Sequence, residues 1–472
     1  MNIIFGTLFL VFFFAISYPF AKNFQLSGYD IKYYIKNIFV FSYYFNGKNK
    51  LVFTKRMTRL IVCYLFLLIL ITYSYFIFLN SIWLIAMCVI IEFVLLQPIL
   101  LLAAAIVSPF ERWIKSRYIT KAKKRLSQFK GKKIAITGSF GKTSTKNFLA
   151  QILQKKYKVC TTPKNYNTPM GLCKTALEVL NDDDEILIVE MGARHKGDIA
   201  QLMEMLQPTY GILTAVGTQH LESFGSEEEI EKTKYELCEH MCKGGSIVFD
   251  CACETTKKLY ERYQNNKVAA NVDGGVRFDK IKYSAKGCQC EIFIDKKSHK
   301  VKLQLIGCEI LKDLACAVSM ASILGLDEKE IIEALKDLQP APHRLQLLPN
   351  SFCTVIDDSY NSNFLGAMQA CECVQLFSGP KIIVSPGLVE QGDKQYELNY
   401  KLGKTIGASC DEFIIMNEIN KNALFQGALA AGMKIENIHF ASTRKEQGAL
   451  LKSLQKRGSV VLFENDLPDN YK

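Results

Sequence analysis

The run Thr137-Gly138-Ser139-Phe140-Gly141-Lys142-Thr143-Ser144 has the residue types of a phosphate-binding turn. Glycines let backbone N–H groups wrap a phosphate, and a helix beginning at Lys142 adds its positive end. Lys142 would then reach the outer phosphates of a nucleotide, and the Thr143 hydroxyl would ligate Mg²⁺. The spacing is shorter than G-x-x-x-x-G-K-T, whose first glycine would fall at Ile136. Glu190 closes the apolar run EILIVE, where a carboxylate is costly unless it is paired or binds a ligand. His220 alone reads as a satisfied loop histidine, and Lys234 alone as a solvated helix lysine. The 16 cysteines include three C-x-C pairs but no C-x-x-C, so the usual zinc-knuckle spacing is absent. They read as thiols in a reducing compartment.

Such a turn works only between the right elements. KIAIT (133–137) reads as a buried strand before it, and Lys142–Lys155 as a helix after it. EILIVEMG (185–192), YGILTAV (210–216) and GSIVF (245–249) read as further buried strands, with helical periodicity between them. This alternation predicts a parallel sheet covered on both faces, with ligands at the carboxyl ends of its strands. TVIDD, KIIVSPG, EFIIMN and VVLFEN repeat the pattern further on, without a G-x-G-x-x-G. The expected fold class is α/β: a P-loop-type parallel-sheet central domain over 131–341 and a Rossmann-like C-terminal domain over 342–472. SPGLVEQG (385–392) and LFENDLPDNY (462–471) would be polar turns at strand ends, either at the substrate or plainly on the surface.

The chain ahead of these domains has another composition. Hydrophobic residues are 49% of the 472-residue chain, and the mean hydropathy is +0.08. Asn2–Phe20, Leu60–Asn80 and Ile82–Val107 are each long enough to span a bilayer. The 58 Lys/Arg and 46 Asp/Glu divide unevenly: residues 1–133 carry a net +15 and the remainder a net −3. The body therefore lacks the basic excess of a nucleic-acid binder. The basic loop 21–59 and the basic stretch 111–133 predict a multi-pass protein of the cytoplasmic membrane, with its catalytic domains in the cytoplasm. Residues 1–108 form this expected α-helical transmembrane region, and 109–130 a basic juxtamembrane helix or solvated linker. Glu92, mid-span, is either functional or a protonated carboxyl bonded to a neighbouring helix. The Tyr/Phe-rich stretch 29–45 reads either as an interfacial element or as a packing surface.

Seven segments, in order, resemble the Mur ligase family of ATP-dependent amide-bond-forming enzymes: TGSFGKTSTK, NYNTPMGL (165–172), VEMGARHKGDI (189–199), TAVGTQHLESFGS (214–226), EKTKYELCE (231–239), HRLQ (343–346) and VIDDSYNSN (355–363). The third is similar to the branch that adds D-alanyl-D-alanine to a muramoyl tripeptide. The resemblance covers about 131–472. It implies ATP and Mg²⁺ as cofactors, an acyl phosphate made from ATP, and attack on it by a peptide or amino-acid amine. It also implies roles for single residues. Gly138, Gly141, Lys142, Thr143 and Ser144 would hold phosphates, with Arg344 and Asp357 contacting nucleotide across an interdomain cleft. Thr143, Glu190, His220 and Lys234 would hold Mg²⁺, Lys234 as a carbamate, and Lys142, His220 and Lys234 form the catalytic set. Asn165 and Asn167 would face the acyl substrate, and Tyr360, Asn361 and Asn363 the amine.

The chain also departs from the family pattern. Ala215 replaces an asparagine, FDCACE replaces an N-a-D-D stretch, and IGCEILKD places Glu309 and Asp313 where histidine and asparagine stand on the adenine side. The membrane region occupies the place of the family's UDP-sugar-binding domain. A muramoyl-peptide or lipid-linked acceptor, held at the membrane, is the resulting expectation. A ligase for a polyglutamate or capsule polymer, and a catalytically silent membrane partner, remain the alternatives.

Overall fold

The computed structural model describes residues 2–36, 50–79, 81–164, 166–217, 224–348, 350–360 and 362–467. The chain forms two compact units, one built on the first 117 residues and the other spanning Tyr118–Asp466.

In the first unit, helices Asn2–Leu26, Lys55–Phe78 and Ile82–Gln128 are long and apolar enough to cross a membrane. Phe12, Val62, Phe66, Ile77, Ile90 and Val94 point outward and exposed, a surface suited to lipid. Thr54 caps the second helix by accepting from the Met57 N–H. Glu92 is buried, and its two oxygens accept from the Thr72 hydroxyl at 2.8 Å and the Tyr75 hydroxyl at 2.7 Å. Both oxygens thus serve a contact with the neighbouring helix Lys55–Phe78. In the Tyr/Phe-rich stretch, Ile31–Lys36 is a short helix whose buried Tyr34 meets Phe24 edge-on, with ring centroids 5.2 Å apart; residues 37–45 lie outside the described residues.

Of the two readings of 109–130, juxtamembrane helix or solvated linker, the structure has the helix. The third apolar helix continues unbroken through Pro98 and Pro109 to Gln128. Ala122, Leu126 and Phe129 belong to a core cluster of the second unit. Their helical spacing makes an apolar stripe that the intervening lysines and arginines mask in the sequence.

The second unit holds three sheets. β1 (Lys132–Thr137), β2 (Val159–Thr161), β3 (Ile186–Glu190), β4 (Tyr210–Leu213), β5 (Ser246–Asp250) and β6 (Lys267–Ala270) form a parallel sheet in the order β2-β3-β1-β4-β5-β6. The strand order reverses beside β1, the position where open α/β sheets bind ligands at their carboxyl ends. β7 (Arg277–Ser284), β8 (Gly287–Ile294) and β9 (Lys297–Leu303) form an antiparallel meander that the sequence analysis did not single out. Its second turn is Asp295-Lys296, with φ of 47° and 69°, the left-handed pair of a two-residue hairpin. β10 (Gln346–Leu348), β11 (Thr354–Asp358), β12 (Lys381–Ser385), β13 (Glu412–Met416), β14 (Ile438–Ala441) and β15 (Val460–Glu464) form the third sheet, in the order β10-β11-β15-β12-β13-β14. Only its edge strand β10 is antiparallel, so this sheet is mixed.

Candidate active site

β1 and the helix Lys142–Leu153 present the turn between them at the carboxyl edge of the central sheet. The Ser139 and Phe140 N–H groups donate to the Ala215 carbonyl at 2.8 and 3.2 Å. Gly138 has φ +151° and Gly141 φ +79°, and a Cβ at either would lie 1.9 Å from another side chain, Thr214 Oγ1 or Asp313 Oδ1 respectively. Both positions therefore demand glycine. Lys142 Nζ donates to the Gly138 and Ser139 carbonyls at 2.8 and 2.7 Å, which keeps the ammonium over the loop. Burial lowers its pKa to about 8, with Glu190 opposing and Arg344 adding to the shift. Ser144 is buried at the first turn of the helix, bonded to Asp313.

Glu190 ends β3 beside this turn, 3% exposed. Its Oε2 accepts from the Thr143 hydroxyl at 3.0 Å and from Lys146 Nζ at 3.0 Å. Its Oε1 accepts from Asn167 Nδ2 at 3.4 Å. A hydroxyl and a carboxylate oxygen side by side are hard donors, and they fit a magnesium ion that takes its other ligands from phosphate and water. Among the described residues, no group of three or more His, Cys, Asp or Glu side chains is placed to hold a metal. His220 lies outside the described residues, as do Asn165 and Asn361.

Lys234 sits in the helix Glu227–Glu239, whose N-cap Ser226 accepts from the Glu229 N–H. It is 3% exposed, not solvated. Burial first, and the nearby Lys142 ammonium second, lower its pKa to about 7. A large fraction is therefore a free amine at neutral pH, the form able to take up CO₂.

The turn before β10 contributes Arg344. Its guanidinium lies over the Tyr360 ring, 4.8 Å from the centroid, and its charge reaches Lys142 and Asp313 of the central domain. The flanking residues His343 and Leu345 have φ of 62° and 44°. Such strain persists only where neighbours hold it. Asp357 and Asp358 do so: Asp357 Oδ2 lies 2.7 Å from His343 Nδ1, and Asp358 Oδ1 accepts from the Leu345 N–H at 3.1 Å. The other Asp357 oxygen accepts from Ser359. Asp357 thus holds the turn that presents Arg344. Asn363 uses its Oδ1 to cap the helix Phe364–Val374, accepting from the Gly366 N–H at 2.9 Å. At the position expected to face adenine, Glu309 pairs with Lys312 at 2.5 Å. Burial, with Asp250 and Glu309 nearby, raises Asp313 well above the usual carboxylate range. Asp358 was not singled out by sequence reasoning, and neither was Lys146, although it stands in the TGSFGKTSTK run one helical turn after Lys142.

Glu464, at the end of β15, is fully buried and accepts from the Ser385 hydroxyl at 2.6 Å. Burial, with Asp358 adjacent, pushes its pKa up to about 8. The folded protein therefore keeps this carboxyl protonated, while the unfolded chain ionises it near pH 4.3. Stability is full below the unfolded value and falls as pH rises toward about 8. Glu464→Gln removes this penalty. The variant is expected to be more stable than wild type by about 1–3 kcal/mol at pH 8 and about equal at pH 5, read by denaturant unfolding. A difference that does not change with pH would contradict the assignment.

Residues 136–321 match the family described as "Mur ligase middle domain". The chain is similar to the UDP-N-acetylmuramoyl-tripeptide–D-alanyl-D-alanine ligase of Synechocystis sp., 27% identical over 335 residues, which cover 70% of this chain and 71% of the relative. The Bacillus subtilis protein of the same name is 25% identical over 361 residues, 73% of this chain and 75% of the relative. Among solved structures, a MurF ligase from Thermotoga maritima in complex with ADP superposes with a TM-score of 0.67 at 27% identity, covering 75% of this chain and 80% of that one. MurF from Acinetobacter baumannii has the same fold, with a TM-score of 0.67 at 24% identity, covering 75% and 77%.

Proposed function

We propose that the chain, whose residues 136–321 match the Mur ligase middle domain and which is similar to the ligases above, is an ATP-dependent ligase of peptidoglycan precursor synthesis that joins D-alanyl-D-alanine to a muramoyl tripeptide. The observation that carries this reading is convergence at one sheet edge. The Lys142 ammonium and the Thr143–Glu190 oxygen pair lie there, and Lys142 shares its charge environment with the buried Lys234 amine and with Arg344 of the turn before β10. The tripeptide carboxylate attacks the γ-phosphorus and ADP leaves. The dipeptide amine then attacks the acyl carbon and phosphate leaves, with loss of a proton. No protein nucleophile is needed; the demand is charge neutralisation and positioning. Lys142 and the loop N–H groups bind the phosphates, and Arg344 adds positive charge from the opposite side. Thr143, Glu190, His220 and carbamylated Lys234 would hold Mg²⁺, which would neutralise phosphate charge. Asn165 and Asn167 orient the acyl substrate, and Tyr360, Asn361 and Asn363 the amine.

We read the three apolar helices as membrane spans of a multi-pass enzyme with its catalytic domains in the cytoplasm. Their basic flanking segments support this orientation. Anchoring raises the effective concentration of a lipid-linked acceptor. In vesicles, the lipid-linked muramoyl peptide is expected to be turned over at lower concentration than its UDP-linked counterpart. Equal use of both would remove the lipid-linked acceptor from the reading.

A further inference from the structure

Lys146 is the cation on which the metal side and the acyl side of the site both lean. Its side chain is 8% exposed and that of Glu190 3%. Nζ donates to Glu190 Oε2 at 3.0 Å, to the Thr162 carbonyl at 3.0 Å and to the Lys164 carbonyl at 3.1 Å. An ammonium has three N–H donors, and all three are used. Lys164 has φ +47°, a left-handed conformation that a lysine keeps only when something holds it. Three residues on, the Asn167 side chain donates to Glu190 Oε1 at 3.4 Å and its carbonyl accepts from the Gly192 N–H at 2.8 Å. One buried ammonium therefore ties together the phosphate-loop helix, the end of β3 and the turn before Asn167.

We propose that Lys146 is a positioning residue that couples the two halves of the reaction. It orients the Glu190 carboxylate for Mg²⁺ and fixes the turn that carries Asn167 toward the acyl acceptor. This rests on the reading of Glu190 and Asn167 given above. Removing the ammonium leaves a buried carboxylate without its cation and two carbonyls without donors. Metal and acceptor should then weaken together, although Lys146 itself touches neither. A role confined to stability would lower the melting temperature and leave both untouched.

The test uses the full chain in detergent, with three readouts: the Mg²⁺ dependence of ADP binding by calorimetry, the KM for the acyl acceptor, and the melting temperature. Lys146→Met is expected to raise the Mg²⁺ needed for half-maximal ADP binding about tenfold or more, and the acceptor KM by a similar factor. ADP binding in EDTA and the KM for the dipeptide stay at wild-type values. Lys146→Arg, which keeps the cation, brings the Mg²⁺ requirement back toward wild type. If Lys146→Met does not fold, Lys146→Gln is read in the same way. Wild-type Mg²⁺ dependence and acceptor KM in the folded neutral variant would overturn the inference. If Glu190→Ala also binds ADP with unchanged Mg²⁺ dependence, the metal-site reading beneath it fails instead.

Discussion

Lys142→Ala is expected to lower ATP-dependent product formation by about 10³-fold or more while leaving the fold intact. Removing one preorganised donor from such a site costs about 10²–10³-fold, and here a full charge is lost. Lys142 sits over the loop carbonyls of Gly138 and Ser139, only half-buried, and no core cluster depends on it. Its truncation leaves the glycine geometry in place, so the loss should appear in turnover and ATP affinity and not in the melting temperature. Phosphate release measured beside a thermal melt separates the two. A variant that keeps a tenth of wild-type turnover would remove Lys142 from the phosphate site.

The second large effect is expected at Lys234. Its amine is buried and its pKa lies near 7. The neutral amine can attack CO₂ and lose a proton, leaving an anionic carbamate. That reaction replaces a cation with an oxygen ligand suited to Mg²⁺. Lys234→Ala should cost about 10²-fold or more in kcat, a loss of several kcal/mol of charge stabilisation. Wild-type activity should fall in CO₂-depleted buffer and return on addition of bicarbonate. The pH dependence has a definite sign: the uncharged amine dominates above its pKa of about 7, so carbamate formation is favoured there and suppressed below. Full wild-type activity in CO₂-free buffer at pH 8 would contradict the carbamate. Full activity of Lys234→Ala would remove the residue from the site altogether.

What could be read in the sequence follows the range of the interaction. The turn Gly138–Lys142 was legible because strand, turn and helix are contiguous and the glycines are forced by local conformation. Glu190 was legible because a carboxylate at the end of an apolar strand demands a partner. Its partner Lys146 was not, since in isolation it is one more lysine on a helix. Its carbonyl partners are Thr162 and Lys164, 16 and 18 residues away. Asp358 was missed for a related reason: its task is to hold the backbone at Leu345. The meander β7–β9 hid behind a Lys-rich composition, with its apolar alternation concentrated in β8. The core stripe Ala122–Leu126–Phe129 hid among basic residues. In each case a residue's own type gave a local reading, and a tertiary partner overrode it.

The most direct test combines the purified full chain with Mg-ATP, UDP-muramoyl-tripeptide or its lipid-linked counterpart, and D-alanyl-D-alanine, following ADP and the mass of the acceptor together. The predicted result is one ADP for each joined product, with neither formed when acceptor or dipeptide is omitted. ADP release that ignores the dipeptide, with no joined product from either acceptor, would contradict the account.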